Sequence, residues 1–171
     1  DGGPGCRWVG NEKGFAGATN WAFLRAGEVY PGYPNYRELQ YGHADGNQWV
    51  AAECDVSIRP GWFYHPEEDG RVKTVEQLTD LYYRSVGHNA TLLLNFPVDR
   101  DGLIHPTDST NAVNFHQNVQ KQLAHNLLAG VSPKASDERS AAFPAKAVTD
   151  GDYDTYWATN DEVTSATIEF G

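Results

Sequence analysis

Residues 53–58 (ECDVSI), 75–86 (VEQLTDLYYRSV) and 91–96 (TLLLNF) decide the fold class of this chain. The first segment reads as a short buried strand that a Pro-Gly pair ends, and the third is a nearly continuous apolar run typical of a parallel strand buried on both faces. The middle segment repeats apolar residues at nearly helical spacing and is predicted to be a helix. Strand, helix and strand in this order predict βαβ units and therefore an α/β sheet or barrel.

On the amino-terminal side, residues 1–20 are rich in glycine and are predicted to form a loop that follows a strand. Residues 20–49 form a long segment with many Trp and Tyr residues and no regular pattern. A segment of that length without regular structure is usually functional or disordered, and its aromatic content argues against disorder. We therefore expect a functional loop here.

On the carboxyl-terminal side, a second helix is predicted to begin at Asp108 or Ser109 and to end near Ala129. Its expected apolar stripe consists of Val113, Phe115, Val119, Leu123, Leu127 and Leu128. The polar stretch at 131–140 contains a proline and predicts a domain boundary, so that residues 1–130 and 131–171 form separate domains. The residues after the boundary carry turn signals and short β-type segments. There are too few of these residues for a complete β-sandwich, which needs about 100.

Charge and length exclude several classes of function. The chain has 171 residues, with 13 Lys and Arg against 23 Asp and Glu, and a formal net charge of −10. A nucleic-acid-binding protein usually carries a basic face, and attachment to anionic lipids also needs basic residues. Neither function is expected of a chain with this negative charge. No apolar run approaches the roughly 20 residues that span a bilayer. The chain contains no Met, so Asp1 is not a translation start, and we expect either a removed leader or a piece of a longer protein.

The aromatic content favours sugar recognition. Five Trp, nine Tyr and seven Phe accompany 17 Gly. The apolar face of a sugar ring packs on an aromatic ring, while the hydroxyl groups at its edge take hydrogen bonds. The alternative is that these rings belong to the core. The two cysteines, Cys6 and Cys54, are too few for a disulfide scaffold, and whether they pair is left open.

Two stretches are candidates for catalysis. Residues 7–14 (RWVGNEKG) place Glu12 between a Trp and glycines, where a carboxylic acid can act as a general acid; the alternative is a cap or a surface charge. Residues 53–65 (ECDVSIRPGWFYH) place polar side chains at the carboxyl end of a strand, where barrel enzymes build their active sites. The alternative here is a structural ion pair between Asp55 and Arg59.

Metal and modification sites are less well supported. No pair among the six histidines has the spacing of a zinc site, so a transition metal is not expected. Residues 150–155 (DGDYDT) cluster carboxylates in a turn that can hold calcium, but the stretch lacks the final Glu of an EF-hand loop. The sequence Asn89-Ala90-Thr91 is formally a glycosylation acceptor, although it meets a predicted buried strand.

Taken together, RWVGNEKG, ECDVSIRPGWFYHPEED and LYYRSVGHNATLLLNFPVDRDGLI, in this order and spacing, resemble the carboxyl-terminal half of the catalytic domain of glycoside hydrolase family 29, the α-L-fucosidases. The resemblance covers residues 1–129, and the form of the first motif resembles the branch that acts on α-1,3/1,4-linked fucose in Lewis-type glycans. Residues from about Ser136 onward resemble the start of a discoidin-like module, also called coagulation-factor 5/8 type C or family 32 carbohydrate-binding.

The resemblance implies part of a TIM-like (β/α) barrel, followed by the first strands of a β-sandwich. It implies an exo-acting hydrolase with retention of configuration, in which Glu12 is the general acid/base. The family's nucleophile is an Asp in a WFDGA-like segment, which this chain lacks, so this fragment alone is expected to be inactive. It is also expected to be unstable or associated with a missing amino-terminal half, because part of a barrel leaves strand edges open. The alternative class is a noncatalytic carbohydrate-binding polypeptide.

Further expectations follow from the same resemblance. Arg7, Trp8, Arg59 and Trp62 are expected to contact the substrate, with Trp8 packing on the methyl group of fucose. Residues 21–49 would bind the leaving group. No cofactor is needed for catalysis, while Asp150 and Thr155 would lie near a structural calcium ion in the second module. The expected partners are fucosylated glycans, and the expected location is outside a bacterial cell or in its periplasm.

Overall fold

The computed structural model of the chain describes residues 5–30 and 32–171. The chain divides into two units, one that ends at Lys121 and a second over Gln122–Gly171. In the described residues no helix is long and apolar enough to cross a bilayer. The strands are β1 (Cys6–Trp8), β2 (Phe23–Leu24), β3 (Gln48–Trp49), β4 (Ala51–Ser57), β5 (Ala90–Asn95), β6 (Lys134–Ala135) and β7 (Ile168–Glu169), and the α-helices are α1 (Val75–Ser85) and α2 (Pro106–Leu123).

The centre of the first unit is a parallel sheet in the order β1-β4-β5. Trp8 pairs with Glu53, and Ser57 at the end of β4 pairs with Asn95 at the end of β5. The α/β class and the two strands predicted near residues 53–58 and 91–96 are therefore confirmed. The short strand β1 was not predicted, because glycines surround its three residues. Within this chain β5 is covered on one face: Leu92 and Leu94 pack against the core, whereas Leu93 on the other face is 42% exposed.

Helix α1 forms where the apolar spacing predicted it. Its start is fixed by a capping box, in which the Thr74 hydroxyl accepts from the Gln77 N–H and the Gln77 side chain accepts from the Thr74 N–H. Leu78 and Leu81 lie on its buried face and join Val56 of β4 in a core cluster. The helix thus covers one side of the sheet, as a βαβ crossover does.

Two separate buried clusters lie beneath the sheet. The larger one consists of aliphatic side chains: Val56, Ile58, Val72, Leu78 and Leu81, with Phe115 of α2 packed against it. The second consists of small side chains: Val9, Ala16, Ala52 and Cys54. Because Cys54 and Val56 alternate with Glu53 and Asp55 along β4, the apolar residues face the clusters and the carboxylates face the other side of the sheet.

Helix α2 differs from its prediction at both ends. It begins with Pro106, which is well suited to a first helical position, and it ends at Leu123 rather than near Ala129. The expected apolar stripe is wrong in part, because Val119 is buried while Val113, Leu123 and Leu127 are exposed. Asp108, expected as a possible cap, is fully buried in the first turn.

The aromatic segment at 20–49 is more regular than predicted. Its two ends meet as the antiparallel pair β2–β3, where Phe23 lies opposite Trp49. A short 3-10 helix spans Tyr36–Gln40 between them. The side chain of Arg25 forms an ion pair with Asp45 at 2.8 Å, which ties the two arms of the segment together.

The second unit contains the antiparallel pair β6–β7 and the 3-10 helix Ala145–Val148. The indole N–H of Trp157 donates to the carbonyl of Asp137 at 2.9 Å. The Asp137 carboxylate accepts in turn from Asn160, and the rings of Phe143 and Tyr156 lie 5.0 Å apart. The observed boundary at 121/122 lies within α2, ahead of the polar stretch at 131–140.

Candidate active site

Glu12 lies in the loop that follows β1, here called the β1 loop (residues 9–16). Val9 is fully buried, and its N–H continues the sheet by donating to the carbonyl of Glu53 at 3.1 Å. Gly10 follows with φ +77°, and a Cβ at this position would lie 2.5 Å from the carbonyl oxygen of Tyr36. Only glycine fits such a left-handed, closely packed position. The chain therefore turns sharply at Gly10, and Glu12 stands exposed at the carboxyl end of the sheet.

The side chain of Asn11 braces this turn from within. Its carbonyl oxygen accepts from the N–H of Lys13 at 2.9 Å, and its amide donates to the carbonyl of Phe15 at 3.1 Å. The first bond is the Asx-turn pattern, in which an Asn side chain replaces a backbone partner. Because Glu12 lies inside this turn, the Asn11 bonds fix the backbone that carries its carboxylate.

The loop after β4, here called the β4 loop (residues 58–72), supplies the partner of Glu12. The indole N–H of the half-buried Trp62 donates to Oε2 of Glu12 at 2.9 Å. The backbone carbonyl of Trp62 accepts from the amide of Asn95 at 3.1 Å. Thus three residues from the carboxyl ends of β1, β4 and β5 meet at one edge of the sheet, although 50 residues separate Glu12 from Trp62.

The face of the sheet opposite the core carries further carboxylates. Burial raises the pKa of Asp55, and the negative charges of Glu53 and Glu12 raise it further. One carboxylate oxygen of Asp55 is buried without a partner among the described residues. The Cys6 thiol lies 3.8 Å from a carboxylate oxygen of Glu53. Asp55 therefore belongs to an acidic surface shared with Glu12, and the alternative of an ion pair between Asp55 and Arg59 is not observed, because Arg59 pairs with Asp108 and Asp69.

Arg59 is instead the centre of a buried ion-pair network. Its guanidinium donates twice to Asp108, at 2.7 and 2.8 Å, and once to Asp69 at 2.9 Å. The ring of Tyr64 stacks on it at 4.6 Å, and its side chain has no exposed surface. Because its three nitrogens already donate to the protein, the structure does not support the predicted contact between Arg59 and a substrate. Arg59 joins the β4 loop to the first turn of α2.

Arg7 is likewise a structural residue. Its guanidinium donates to the backbone carbonyls of Leu39, Val50 and Trp21, and to the side chain of Asn20. The residue is 5% exposed, and burial lowers its pKa. The side chain fastens β1 to the aromatic segment, so the geometry does not support the predicted contact between Arg7 and a substrate.

The aromatic segment borders an open cleft of about 830 Å³ beside β1. Its wall includes the predicted Trp8 together with Arg25, Tyr30, Tyr33, Tyr36 and Gln48. The rings of Tyr30 and Tyr33 meet edge to face at 6.0 Å. Such a cleft has the volume and the aromatic wall of a small-ligand site. Trp21 and Trp49, which bound the segment, are exposed and lie outside this wall.

The candidate calcium residues hold their own turn together. One oxygen of Asp150 accepts from the N–H of Asp152 at 2.9 Å, and the other accepts from the Thr155 hydroxyl at 2.7 Å. These bonds lower the pKa of Asp150. Across residues 5–30 and 32–171, no three His, Cys, Asp or Glu side chains form a group that could hold a metal ion. Both oxygens of Asp150 thus have partners in the turn, and calcium binding stays a prediction.

The remaining sequence motifs have structural explanations. Cys6 and Cys54 are both free thiols, the first exposed and the second buried. Asn89 has φ +57°, and its side-chain amide donates to the backbone carbonyl of Asn20 at 3.0 Å. The amide of Asn20 donates back to the carbonyls of His88 and Asn89. The acceptor nitrogen of the glycosylation motif is therefore engaged in the fold.

One residue of the site was missed in the sequence. Asn95 ends β5 as Ser57 ends β4, and its amide donates to the Ser57 hydroxyl at 3.1 Å as well as to Trp62. Polar residues at the carboxyl ends of strands commonly face the active site in α/β barrels. This rule pointed to residues 53–65 in the sequence. It could also have pointed to Asn95, the polar residue that interrupts the apolar run TLLLNF.

Comparison with known proteins agrees with the motifs. No family model matches the chain. The Arabidopsis thaliana protein Alpha-L-fucosidase 1 is 39% identical over 166 residues, which cover 92% of this chain and 31% of that protein. The Bacteroides thetaiotaomicron crystal structure assigned as an α-L-fucosidase superposes with a TM-score of 0.88 and 44% identity, over 97% of this chain and 36% of that one.

A third relative carries a ligand. The crystal structure of a Ruminococcus gnavus GH29 fucosidase in complex with fucose superposes with a TM-score of 0.79 and 34% identity, over 95% of this chain and 33% of that one. The chain thus spans about one third of the length of each of these relatives. In sequence and fold the chain is therefore similar to α-L-fucosidases, one of which is named as a member of glycoside hydrolase family 29.

Proposed function

We propose that the protein carrying this chain is an exo-acting, retaining α-L-fucosidase in which Glu12 is the general acid/base. The observation that carries the proposal is the bond from the Trp62 indole to Glu12, which holds an exposed carboxylate at the carboxyl end of a parallel sheet. That end of the strands is where α/β-barrel enzymes place their catalytic groups. The names of the relatives support the substrate class.

The surroundings of Glu12 are compatible with both halves of the proposed reaction. The Trp62 N–H engages Oε2, which leaves Oε1 to face a substrate. In the first step the acid protonates the glycosidic oxygen as the bond to fucose breaks. In the second step the resulting carboxylate takes a proton from the water that attacks the fucosyl-enzyme. The exposure of Glu12 gives a leaving group and then a water access to the same oxygen.

The second carboxylate of the mechanism is proposed to come from outside this sequence. Retaining glycosidases hold their two carboxyl groups about 5–5.5 Å apart. We propose an Asp nucleophile from a part of the protein that precedes residue 1, and a TIM-like barrel completed by strands outside this chain. Glu53 and Asp55 lie on the proposed inner face of that barrel.

The proposed substrate is α-1,3/1,4-linked fucose in a branched, Lewis-type glycan. Trp8 stands at the end of β1 and forms part of the wall of the 830 Å³ cleft. We propose that its ring packs on the methyl group of fucose, and that Tyr30, Tyr33 and Tyr36 contact the sugars of the leaving group. Flat aromatic rings suit the apolar faces of pyranoses.

The second unit is proposed to begin a discoidin-like carbohydrate-binding module. Its turn at Asp150–Thr155 and the anchored indole of Trp157 support this assignment. A structural calcium ion near Asp150 belongs to the same proposal. A secreted or periplasmic location, in contact with fucosylated glycans, would place such a module where its ligands occur.

The experiment compares fucose release by the native protein and by its Glu12→Gln variant, with a Lewis-type trisaccharide as substrate. Because general acid catalysis contributes about 10²–10⁴-fold, kcat/KM should fall by about that factor in the variant. Azide, which attacks without a general base, should restore turnover of an activated aryl fucoside and yield fucosyl azide. The matched control is Glu67→Gln, an exposed carboxylate of the β4 loop, which should leave kcat/KM unchanged.

A loss below about threefold in Glu12→Gln would contradict the assignment, since it is far smaller than an acid catalyst provides. The configuration of the first-formed fucose, read by NMR, tests retention separately. A native protein that binds the trisaccharide but releases no fucose would favour the noncatalytic alternative.

A further inference from the structure

Asn95 connects the ends of two parallel strands to the loop that carries Trp62. It is the last residue of β5, and its backbone carbonyl accepts from the N–H of Ile58 at 3.0 Å, where the β4 loop begins. Its side-chain amide donates to the hydroxyl of Ser57 and to the carbonyl of Trp62, both at 3.1 Å. One side chain therefore holds both the end of β4 and the middle of the following loop.

The backbone carbonyl of Trp62 is held by a side chain from the neighbouring strand. Beside it the loop is open, since no atom other than those of its chain neighbours lies within 4 Å of a Cβ built on Gly61. Among the described residues, the Asn95 amide is the hydrogen-bond donor to the carbonyl of Trp62, and the Trp62 indole is the donor to Glu12. The bond from the Asn95 amide thus holds the backbone from which the Trp62 indole projects.

The chemistry of the side chain explains why an Asn occupies this position. The side chain of Asn is short, and its amide nitrogen carries two hydrogens. It can therefore donate one hydrogen to a hydroxyl and the other to a carbonyl at the same time. A carboxylate at the same place would face the Trp62 carbonyl with lone pairs, and an Ala would leave that carbonyl without a donor.

We infer that Asn95 is a positioning residue for acid/base catalysis: through the Trp62 carbonyl it sets the indole N–H that orients the carboxylate of Glu12. The inference rests on the proposed function of Glu12. A proton donor must lie within hydrogen-bond reach of the oxygen it protonates, so a displaced indole misaligns the acid without removing it. Asn95 does not touch the substrate in this account.

The test uses the native protein and two substrates with the same fucosyl group. The leaving group of 2-chloro-4-nitrophenyl α-L-fucoside departs without protonation, whereas the sugar hydroxyl of a Lewis-type trisaccharide needs an acid. For Asn95→Ala we expect kcat/KM to fall about tenfold on the trisaccharide, a fraction of the full acid contribution, and less than about twofold on the aryl fucoside. Equal losses on both substrates would overturn the inference, because a general structural defect does not distinguish leaving groups.

A double-mutant cycle shows whether Asn95 acts through the indole. Trp62→Phe keeps an aromatic ring but removes the N–H that donates to Glu12. If the inference holds, adding Asn95→Ala to Trp62→Phe should cost less than about twofold on the trisaccharide, because the two changes break one linkage. Independent, multiplying losses would overturn it.

Two further variants guard against misfolding. Asn111→Ala removes a comparable bond, from an Asn amide to the carbonyl of Lys73 at 2.9 Å, and should leave the ratio of the two kcat/KM values unchanged. If Asn95→Ala does not fold, Asn95→Asp preserves the shape, removes both donated hydrogens and should show the same selective loss. A native protein that releases no fucose from either substrate would overturn the proposed function and the inference together.

Discussion

The β1 loop and the β4 loop leave neighbouring strands of one sheet but are stabilised differently. The β1 loop rests on the small-residue cluster of Val9, Ala16, Ala52 and Cys54, and it presents an exposed carboxylate. The β4 loop rests on large aliphatic side chains and is fixed by the buried Arg59–Asp108 pair. The comparison indicates a division of labour, in which one loop carries the proposed acid/base Glu12 and the other provides the Trp62 indole that holds its carboxylate.

The largest effect on stability is expected from breaking the support of the β4 loop. Asp108→Ala leaves the buried guanidinium of Arg59 with Asp69 as its remaining carboxylate, and should cost about 3–5 kcal/mol in the free energy of unfolding. Chemical denaturation measures this value. The control is Asp80→Ala, which removes the exposed i,i+4 pair with Arg84 and should cost about 0.5 kcal/mol or less. Equal costs in the free energy of unfolding would contradict a stabilising role of the buried Arg59–Asp108 pair.

The second prediction concerns the cluster beneath the β1 loop. Burial raises the pKa of Cys54 from 9.0 to about 11. The unfolded chain therefore loses this proton at a lower pH than the folded chain, and stability that is present below pH 9 falls by about 2–3 kcal/mol as the pH rises to 11. Unfolding curves between pH 8 and 11 measure the decline. Cys54→Ala should show a shallower decline, since both proteins share all other titrating groups; parallel curves would contradict the prediction.

The third prediction tests how closely the β1 loop is packed. Gly10→Ala forces a side chain into a left-handed position and against the carbonyl of Tyr36, and should cost about 1–3 kcal/mol. The matched control is Gly102→Ala, which has φ +78° but no atom within 4 Å of the added Cβ. The difference between the two variants in thermal denaturation isolates the steric contact. A Gly10→Ala protein as stable as its control would mean that the loop yields easily.

The smallest effect on stability is expected at Asn11. Asn11→Ala removes the two bonds that brace the turn around Glu12 and should cost about 1 kcal/mol. Asn126→Ala, which removes a similar turn bond to Leu128 in the second unit, should cost a comparable amount. Only Asn11→Ala should also lower kcat/KM for fucose release. If both variants changed kcat/KM equally, the Asn11 turn would have no specific role in holding the carboxylate of Glu12.

The sequence was sufficient to predict the elements whose burial follows a regular period. The helix expected at residues 75–86 is present as Val75–Ser85, because its apolar spacing and its capping box agree. The motif around Glu12 likewise identified the family that the comparisons support. Strand β1 escaped prediction because three residues between glycines carry no detectable period.

The roles of individual site residues were harder to predict. Arg7 and Arg59 were expected to contact a substrate, yet each is buried and bonded to partners 6 to 49 residues away. No spacing rule reveals such partners, because tertiary packing brings them together. The contact between Glu12 and Trp62 has the same origin. Asn95, by contrast, could have been found, since it is the polar end of an apolar strand.

The turn at Asn89 bears on how the protein should be produced. In a eukaryotic secretory host the sequence Asn89-Ala90-Thr91 is a substrate for oligosaccharyltransferase, which modifies chains before they finish folding. The nitrogen that would carry the glycan is the one that donates to Asn20 and helps close the turn before β5. Expression in a bacterial cytoplasm or periplasm avoids this competition, and Asn89→Gly would serve a yeast or insect host, because glycine accepts the left-handed backbone without offering an attachment site.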